Sequence, residues 1–296
     1  MQKTTLKANF ARNFLLVNRK QVILAISGLL LVLVLFLFGN TIPPKKEIPS
    51  MAVANTKPTI QFKDLLVKAK QRLTPEQSER ILKMENSVSR GDVKDQQIKS
   101  YKQLATFWKD TIHLFEPYAY YNGEASKLES SEKSLTFAAQ QFLERLLIEG
   151  DPAMQNWLAS NAKVLLEQAL QINPTNDSSK IGLGACYILG NISDNPMQGI
   201  LPVREIASAN PHNMYAQYIL ALGGKKSGQF DKAIERFLII SNAEPDNLEI
   251  LLHLAECYDM KGDKPNAIKW YTKVKGKVKN TGALKELTDR INILKQ

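Results

Sequence analysis

Two consecutive stretches decide the fold: NMYAQYILALGGKKSGQFDKAIERFLIISNAEPD (213–246) and NLEILLHLAECYDMKGDKPNAIKWYTKVKGKVK (247–279). Each combines two amphipathic segments, and the stretches are similar when one is shifted along the other by 34 residues. Self-similarity at a fixed period of this size is typical of proteins built from stacked repeats. The shift superposes the following positions: Leu220 on Leu254, Ala221 on Ala255, Gly228 on Gly262, Ala233 on Ala267, and Phe237 on Tyr271.

A third, less regular copy precedes these two at 177–211. Its closing proline, Pro211, lies 37 residues after Pro174 instead of 34. Because loops tolerate insertions, we expect the three additional residues between the two helices of this copy, around 191–198. The copy retains Leu183, Gly184, Tyr187 and Pro211 of the pattern, but it has Gly199 and Val203 in its second helix, where the other copies have an alanine and an aromatic residue.

Physical chemistry supports a helix–turn–helix unit in each copy. Paired alanines in the two halves allow the helices of one hairpin to approach closely. Gly228 and Gly262 suit the position just after a helix, where a left-handed backbone costs glycine little. Asn213 and Asn247 are suitable N-caps for the helices that follow them. One such hairpin cannot bury its apolar faces alone, so the sequence predicts a stack of hairpins.

This pattern resembles the tetratricopeptide repeat family. The family places a leucine, a small residue and an aromatic in the first helix, Gly-Asp at the turn, and an alanine and an aromatic in the second helix. The copy at 247–279 matches throughout, whereas the copy at 213–246 departs at Gly224, where the aromatic is missing, and at Gln229. The resemblance implies an all-α fold, a right-handed superhelix of hairpins, and a function in binding other proteins. The overall layout of the chain also resembles that of membrane-anchored bacterial members of the family.

The pattern weakens towards the N-terminus. Apolar residues at helical spacing predict a hairpin from 131–148 and 152–174, so we place the repeats at 131–279. The segment 61–130 is predicted to be a degenerate repeat or a helical cap, with helices at 74–87 and 93–109. Between them and the repeats, 116–127 is interpreted as an ordered turn or, alternatively, a partner contact. The last segment, 280–296, is amphipathic and predicts a capping helix.

The N-terminal region has the features of a membrane anchor. Val22 to Phe38 reads VILAISGLLLVLVLFLF, and the segment 21–42 is long enough to cross a bilayer. Pro43 and Pro44 would end any helix that starts in the apolar segment. Residues 43–60 are predicted to form a semi-rigid spacer. The basic tail 1–20 carries five of the ten excess positive charges. Because positive residues stay on the cytoplasmic side, we expect a cytoplasmic N-terminus and an extracytoplasmic domain on the periplasmic side of an inner membrane.

Two alternatives bear on this interpretation of the N-terminus. Ala52-Val53-Ala54 has the small-x-small form of a signal-peptide cleavage site, although it lies well beyond the apolar run. An uncleaved signal anchor is favoured over cleavage near Ala54. The net charge of +10 could suggest nucleic-acid binding, but only +3 falls within 61–296. We therefore expect no nucleic-acid partner.

No pattern in the sequence indicates catalysis. It contains no phosphate-binding glycine loop, nucleophile elbow, zinc-ligand pair or Cys-x-x-Cys motif. Cys186 and Cys257 fall in first helices two repeats apart, too distant for a disulfide. We expect no metal, no cofactor and no enzymatic activity. Enzymatic activity is the less favoured hypothesis for the function, and it would require a catalytic site within 74–150.

A partner site follows from the resemblance. First helices of the family line a groove, and residues at i, i+3, i+7 and i+10 share one stripe. Polar residues of the family's carboxylate clamp are not reproduced, since Tyr218 and Leu252 occupy their places. We predict an interaction scaffold that binds a protein or peptide, or alternatively a periplasmic holdase or an export-channel accessory factor. The predicted groove residues are Tyr215, Tyr218, Leu222, Lys225, Glu249, Leu252, Glu256 and Asp259.

Overall fold

The computed structural model describes residues 60–90 and 93–296, which contain thirteen α-helices, one π-helical segment and no strand. The predicted tail, membrane segment and spacer lie outside these residues, apart from Ile60. The helices are α1 (Phe62–Lys70), α2 (Pro75–Arg90), α3 (Lys94–Thr106), α4 (Phe115–Glu129), α5 (Glu132–Ile148), α6 (Pro152–Ile172), α7 (Asp177–Leu189), α8 (Met197–Ala209), α9 (Met214–Lys226), α10 (Phe230–Ala243), α11 (Leu248–Lys261), α12 (Lys264–Lys275) and α13 (Thr281–Leu294).

The helices pack as consecutive hairpins. The partners within each hairpin are α5 with α6, α7 with α8, α9 with α10, and α11 with α12, and each hairpin packs on the next. First helices also contact one another, α5 with α7 and α7 with α9. The predicted all-α repeat fold is therefore confirmed. The loop between α7 and α8 takes up the three additional residues, as the spacing of the prolines predicted.

Hydrogen bonds at the helix ends explain why the hairpins begin and end where they do. Asn213 Oδ1 accepts a hydrogen bond from the Ala216 N–H at 3.0 Å. Asn247 does the same for the first turn of α11, so both predicted N-caps are confirmed. At the opposite ends, Gly228 and Gly262 have φ of 72° and 83°. A side chain at either glycine would strain this left-handed backbone, which costs glycine little.

Close helix contacts depend on small residues in the hairpin α7/α8. A Cβ atom on Gly184 would lie 2.3 Å from Val203 Cγ2, and one on Gly199 would lie 2.5 Å from the Gly184 carbonyl oxygen. Both distances are far below van der Waals contact, so the two helices can cross here only because both residues lack side chains.

Three apolar clusters follow one another along the array. The first contains Phe142 and Trp157, the second contains Phe237 and Leu254, and the third joins α11, α12 and α13. Phe237 and Leu254 are fully buried, and full burial of such side chains contributes roughly 1.5–3 kcal/mol each. In the third cluster, Leu287, Ile291 and Leu294 of α13 pack with buried residues of α11 and α12.

The segment 116–127 is a helix, and its interpretation as a turn was wrong. It forms most of α4, whose third residue is Pro117. Proline is tolerated in the first turn because the N–H groups there have no partner within the helix. Gly123 lies mid-helix, where an added Cβ atom would reach ordinary contact distance from the side chains of Phe142 and Leu165. Tyr120 stacks on Phe62 of α1 at 3.5 Å between ring centroids, so a tyrosine of this segment packs within the protein.

The helix predicted at 93–109 also differs in its second half. After Thr106 the chain continues as a π-helical segment from Phe107 to Ile112, and His113 ends it with φ of 58°. The Leu114 N–H bonds to the Trp108 carbonyl, which closes the segment. The wider turn accompanies complete burial of the Trp108 indole against α2 and α4. Among the helices in 60–90 and 93–296, none is both long and apolar enough to cross a membrane.

Candidate functional site

Side chains of the first helices α9 and α11 form a bridged surface at the centre of the array. Tyr218 bonds to Glu249 and Lys225 bonds to Glu256, and each pair is separated by 31 residues. The two bonds lie two helical turns apart on α9 and hold the helices side by side. We call the surface formed by Tyr218, Leu222, Lys225, Glu249, His253 and Glu256 the α9–α11 surface.

Tyr218 is the aromatic centre of this surface. Its ring centroid lies 6.4 Å from that of the buried Phe237 and 6.3 Å from that of His253. The hydroxyl donates to the Glu249 carboxylate. Burial raises the pKa of Tyr218, and the hydrogen bond to Glu249 and the charge of that carboxylate raise it further. The phenol therefore stays protonated and acts as a hydrogen-bond donor at neutral pH.

Lys225, His253 and Glu256 form a polar network beside it. Lys225 Nζ lies 3.0 Å from His253 Nδ1 and pairs with the Glu256 carboxylate. Burial acts to raise the pKa of Glu256, but hydrogen bonds from His253 and Lys225, with their charges, outweigh it and lower the pKa to about 2. Glu256 is consequently charged under all physiological conditions, and it fixes the position of the lysine ammonium.

An apolar cleft of about 390 Å³ opens next to this network. Leu222 and Lys225 of α9 line it together with residues from α5, α6, α7 and α11. Lys226 closes one side by donating to the Leu189 carbonyl oxygen at 2.6 Å, and burial lowers the pKa of Lys226. The apolar residues that line the cleft are Leu146, Leu147, Leu189, Leu222 and Met260.

Five of the predicted groove residues lie together on this surface: Tyr218, Leu222, Lys225, Glu249 and Glu256. The other three make contacts with neighbouring elements. Tyr215 packs against the first apolar cluster, and burial raises its pKa. Leu252 packs against the third cluster. Asp259 accepts two hydrogen bonds from Arg290 at 2.6 Å each, and a third from the Tyr271 hydroxyl.

Two residues of the site were missed from the sequence. His253 is not part of the predicted stripe on α11, although it contacts Tyr218, Lys225 and Glu256. Its position between Glu249 and Glu256, at helical spacings of four and three residues, was the available signal. Lys226 was missed because it bonds to the backbone carbonyl of Leu189 in α7. Every residue has such a carbonyl, so no sequence pattern indicates this contact.

The cysteines occupy the predicted helices and are free thiols. Cys186 lies in α7 and Cys257 in α11, both buried. Burial raises the pKa of Cys186 to about 12 and that of Cys257 to about 11. Neither is a thiolate at neutral pH, so nucleophilic chemistry at these positions is disfavoured. In the part of the chain that the structure describes, no three His, Cys, Asp or Glu residues are placed to hold a metal ion.

A further cleft of about 1010 Å³ lies between α2, α3 and α4. It falls within 74–150, the region where an enzyme site would have to lie. Lys102 in this cleft pairs with Glu129, and Arg80 lies 5.3 Å from the centre of the Phe107 ring. Lys102 and Glu129 thus form an ion pair and Arg80 a cation–π contact, both of which are common on solvated surfaces.

Comparison with known proteins yields structural similarities only. No protein-family model matches the sequence, and no curated protein matches it. A solved MamA structure is 18% identical, covers 61% of this chain and 91% of its own, and has a TM-score of 0.43. A MamA structure from Desulfovibrio magneticus RS-1 is 19% identical, covers 63% and 96%, and has a TM-score of 0.43. A tetratricopeptide repeat protein from Parabacteroides merdae ATCC 43184 is 18% identical, covers 75% and 88%, and has a TM-score of 0.38.

The helices of the protein itself carry the assignment of the fold. Consecutive hairpins pack in register, asparagine caps begin their first helices, and left-handed glycines follow α9 and α11. The small and large residues of the repeat pattern lie at the helix contacts, with Ala221, Ala233, Phe237 and Ala267 all fully buried. The described chain therefore has a tetratricopeptide-like helical-repeat fold.

Proposed function

We propose that this protein is an interaction scaffold whose α9–α11 surface binds a protein or peptide partner. The observation that carries the proposal is the combination of an ordered polar network with an apolar cleft on one surface. Tyr218 and Lys225 are held in place by Glu249 and Glu256 before any partner arrives. A pre-ordered surface loses less conformational entropy on binding, which favours affinity.

The chemistry of the surface indicates the kind of partner. The cleft of about 390 Å³ can receive one apolar side chain beside Leu222. Glu249 is exposed and lies at the edge of the network, where it can pair with a basic residue of the partner. The partner is therefore a helix or extended segment with an apolar anchor next to a basic residue. Binding of this type is a normal use of grooves between helices.

The proposed scaffold is anchored in a membrane through residues 21–42. The support for this anchor is the apolar run from 22 to 38 together with the basic tail before it. The polarity of the charges places the N-terminus in the cytoplasm and the repeats on the periplasmic side of the inner membrane. Mass spectrometry of the membrane-extracted protein tests the anchor, since a mature chain that begins at Asn55 would contradict it.

A second candidate function is a holdase for newly exported chains, or an accessory factor at the export channel. The exposed edge of Tyr218 beside an apolar cleft favours it, because large rigid side chains bind apolar segments with little entropy loss. A client-aggregation assay separates this function from a dedicated scaffold. If Tyr218→Ala leaves the aggregation of a reduced, unfolded client unchanged, the holdase function is wrong.

Site-specific photocrosslinking in intact membranes tests the scaffold. A photoreactive phenylalanine replaces Leu222 in the cleft, and a matched control carries it at Leu82, an exposed leucine on α2. We expect a defined crosslinked product from position 222 and none from position 82. Loss of that product when Lys225→Glu is combined with the probe would place the partner on the α9–α11 surface. Identical products from both positions, or none from either, would contradict the proposal.

A further inference from the structure

A second pocket lies on the other face of α9, between the hairpins α7/α8 and α9/α10. It measures about 320 Å³. Leu220, Gly223 and Gly224 of α9 line it together with Ser227, the residue just after the helix. The three helical residues share one face because Gly223 and Gly224 follow Leu220 by three and four residues. Leu222 and Lys225 of the α9–α11 surface do not line it. This pocket is consequently separate from the site of the proposed function.

Two glycines of α9 form part of the wall of this pocket. Gly224 stands where the neighbouring copies have Tyr187 and Tyr258, so an aromatic side chain is missing here. A Cβ atom on Gly223 would lie 2.7 Å from Ile188 Cγ2, and one on Gly224 would lie 3.3 Å from Ala233 Cβ. At both positions the neighbouring helices pack closely on α9, so its backbone lines the pocket directly.

Three cationic side chains line the pocket, and none of its lining residues is a carboxylate: Arg204 from α8, and Lys232 and Arg236 from α10. The partners of two of them are neutral. Arg236 Nη1 donates to Gln217 Oε1 at 2.6 Å, and Lys232 Nζ donates to Gln229 Oε1 at 2.7 Å.

No carboxylate lines this pocket to balance its three cationic side chains. Arg204 makes no hydrogen bond or ion pair with any residue that the structure describes. Burial lowers the pKa of Arg236, the charge of Glu235 acts against this, and the charge of Arg204 lowers it further. The two guanidinium groups thus repel each other across a partly enclosed space. An anion placed between them would relieve this repulsion and accept charge-assisted hydrogen bonds from both.

Exposed apolar residues beside the cations indicate where the anion comes from. Met197 lines the pocket and is exposed, and Leu201, one turn further along α8, is 48% exposed. Arg204 follows on the same face of α8, three residues after Leu201. A face that combines exposed apolar side chains with basic groups is typical of contact with an anionic lipid surface.

We propose that this pocket binds the phosphate of an anionic lipid headgroup, held by Arg204, Lys232 and Arg236, while Met197 and Leu201 contact its acyl chains. A phosphate supplies acceptor oxygens and negative charge to three cations that have no carboxylate partner among the residues lining the pocket. The acyl contact distinguishes a lipid from free phosphate, because inorganic phosphate has nothing to place against Leu201.

Calorimetric titration of the full chain in a neutral detergent tests this site. The probes are dihexanoyl phosphatidic acid, dihexanoyl phosphatidylcholine and inorganic phosphate. We expect phosphatidic acid to bind most tightly, and we expect Arg204→Gln or Arg236→Gln to weaken it about tenfold or more, since each removes a charge-assisted hydrogen bond. Leu201→Ser should weaken phosphatidic acid alone. Arg72→Gln, which removes an exposed charge remote from the pocket, is the matched control and should change nothing.

Three results would overturn the proposal. Inorganic phosphate that binds as tightly as phosphatidic acid would exclude the lipid as the source of the anion. Equal binding of phosphatidylcholine would exclude recognition of an anionic headgroup. Unchanged binding in Arg204→Gln, whose side chain has no structural partner, would exclude the pocket itself. None of these outcomes affects the crosslinks from Leu222, because the two sites share no residue.

Discussion

The ion pair between Lys225 and Glu256 joins two successive repeats, so its removal tests whether it stabilises their contact. Glu256→Gln keeps the size and one hydrogen-bond acceptor of the side chain but removes its charge. Lys225 then remains near His253 without a carboxylate partner. We expect the variant to fold and to be less stable, with the loss concentrated in α9 and α11.

The magnitude follows from the environment of the carboxylate. Its pKa is lowered from 4.5 to about 2. One pKa unit corresponds to about 1.4 kcal/mol, so a fully shielded pair would contribute roughly 3 kcal/mol. The side chains of Lys225 and Glu256 are 23% and 34% exposed. Solvent screening at that exposure reduces the expected loss in free energy of unfolding to about 1–2 kcal/mol.

The dependence on pH has a definite sign. The folded-state pKa of Glu256 lies below its unfolded value, so its stabilisation is fully present above pH 4.5 and is lost as the pH falls towards about 2. Wild type and Glu256→Gln should therefore differ by a constant amount between pH 7 and about 5. The difference should shrink at lower pH. A stabilisation that instead grew on acidification would show that the carboxylate is not the group responsible.

Urea unfolding followed by circular dichroism measures the total effect, and amide hydrogen exchange locates it. Exchange should accelerate in peptides from α9 and α11 and remain unchanged in α5 and α6. Asp246→Asn is a matched control, since Asp246 also pairs with a lysine 31 residues away but is far more exposed. Equal losses in the two variants, or no loss in Glu256→Gln, would refute the reasoning from burial.

Three further predictions concern the repeat itself. Phe237→Ala should destabilise the chain by about 3–5 kcal/mol, because it opens a cavity at a fully buried position; thermal unfolding measures this, and a loss under 1 kcal/mol would contradict it. Gly262→Ala should lower stability by about 1–2 kcal/mol, because its φ is 83°, whereas Gly276→Ala, at φ −65°, should not; equal effects would exclude backbone strain as the cause. Cys186 should resist iodoacetamide at pH 8 until the chain unfolds, because burial holds its pKa at about 12; mass spectrometry of labelled native protein detects any failure.

Much of the fold could be predicted because the repeat has local causes. An asparagine cap bonds to a backbone N–H only three residues away, as Asn213 does with Ala216. A left-handed glycine likewise depends on its own backbone. The N-terminal half was harder, since 116–127 contains Pro117 and Gly123, two residues that normally interrupt helices. The segment is helical nevertheless, since Pro117 lies in the first turn, where a missing N–H breaks no hydrogen bond within the helix. The burial of α4 residues such as Ala119 and Tyr121 against other helices favours the helix over the local preference of Gly123.

The candidate site could be predicted only in part. The spacing rule for first helices correctly grouped Tyr218, Leu222 and Lys225, because they share one face of α9. The same rule could not predict that Arg290 hydrogen-bonds to the Asp259 carboxylate. Arg290 lies in α13, and for that segment the sequence predicted only a capping helix. It also could not connect His253 to Lys225, since the contact crosses from one hairpin to the next.

The sequence by itself determined the period of 34 residues, the helical hairpins, their caps, and the stripe of side chains on each first helix. These features depend on hydrogen bonds and periodicities that span fewer than five residues, or on direct repetition. Only the tertiary structure decided which stripes meet. Pairs such as Tyr218 with Glu249 are 31 residues apart, and their contact depends on how far α11 is shifted and rotated against α9. That register is set by the packing of Phe237 and Leu254 between the hairpins, which no local pattern encodes.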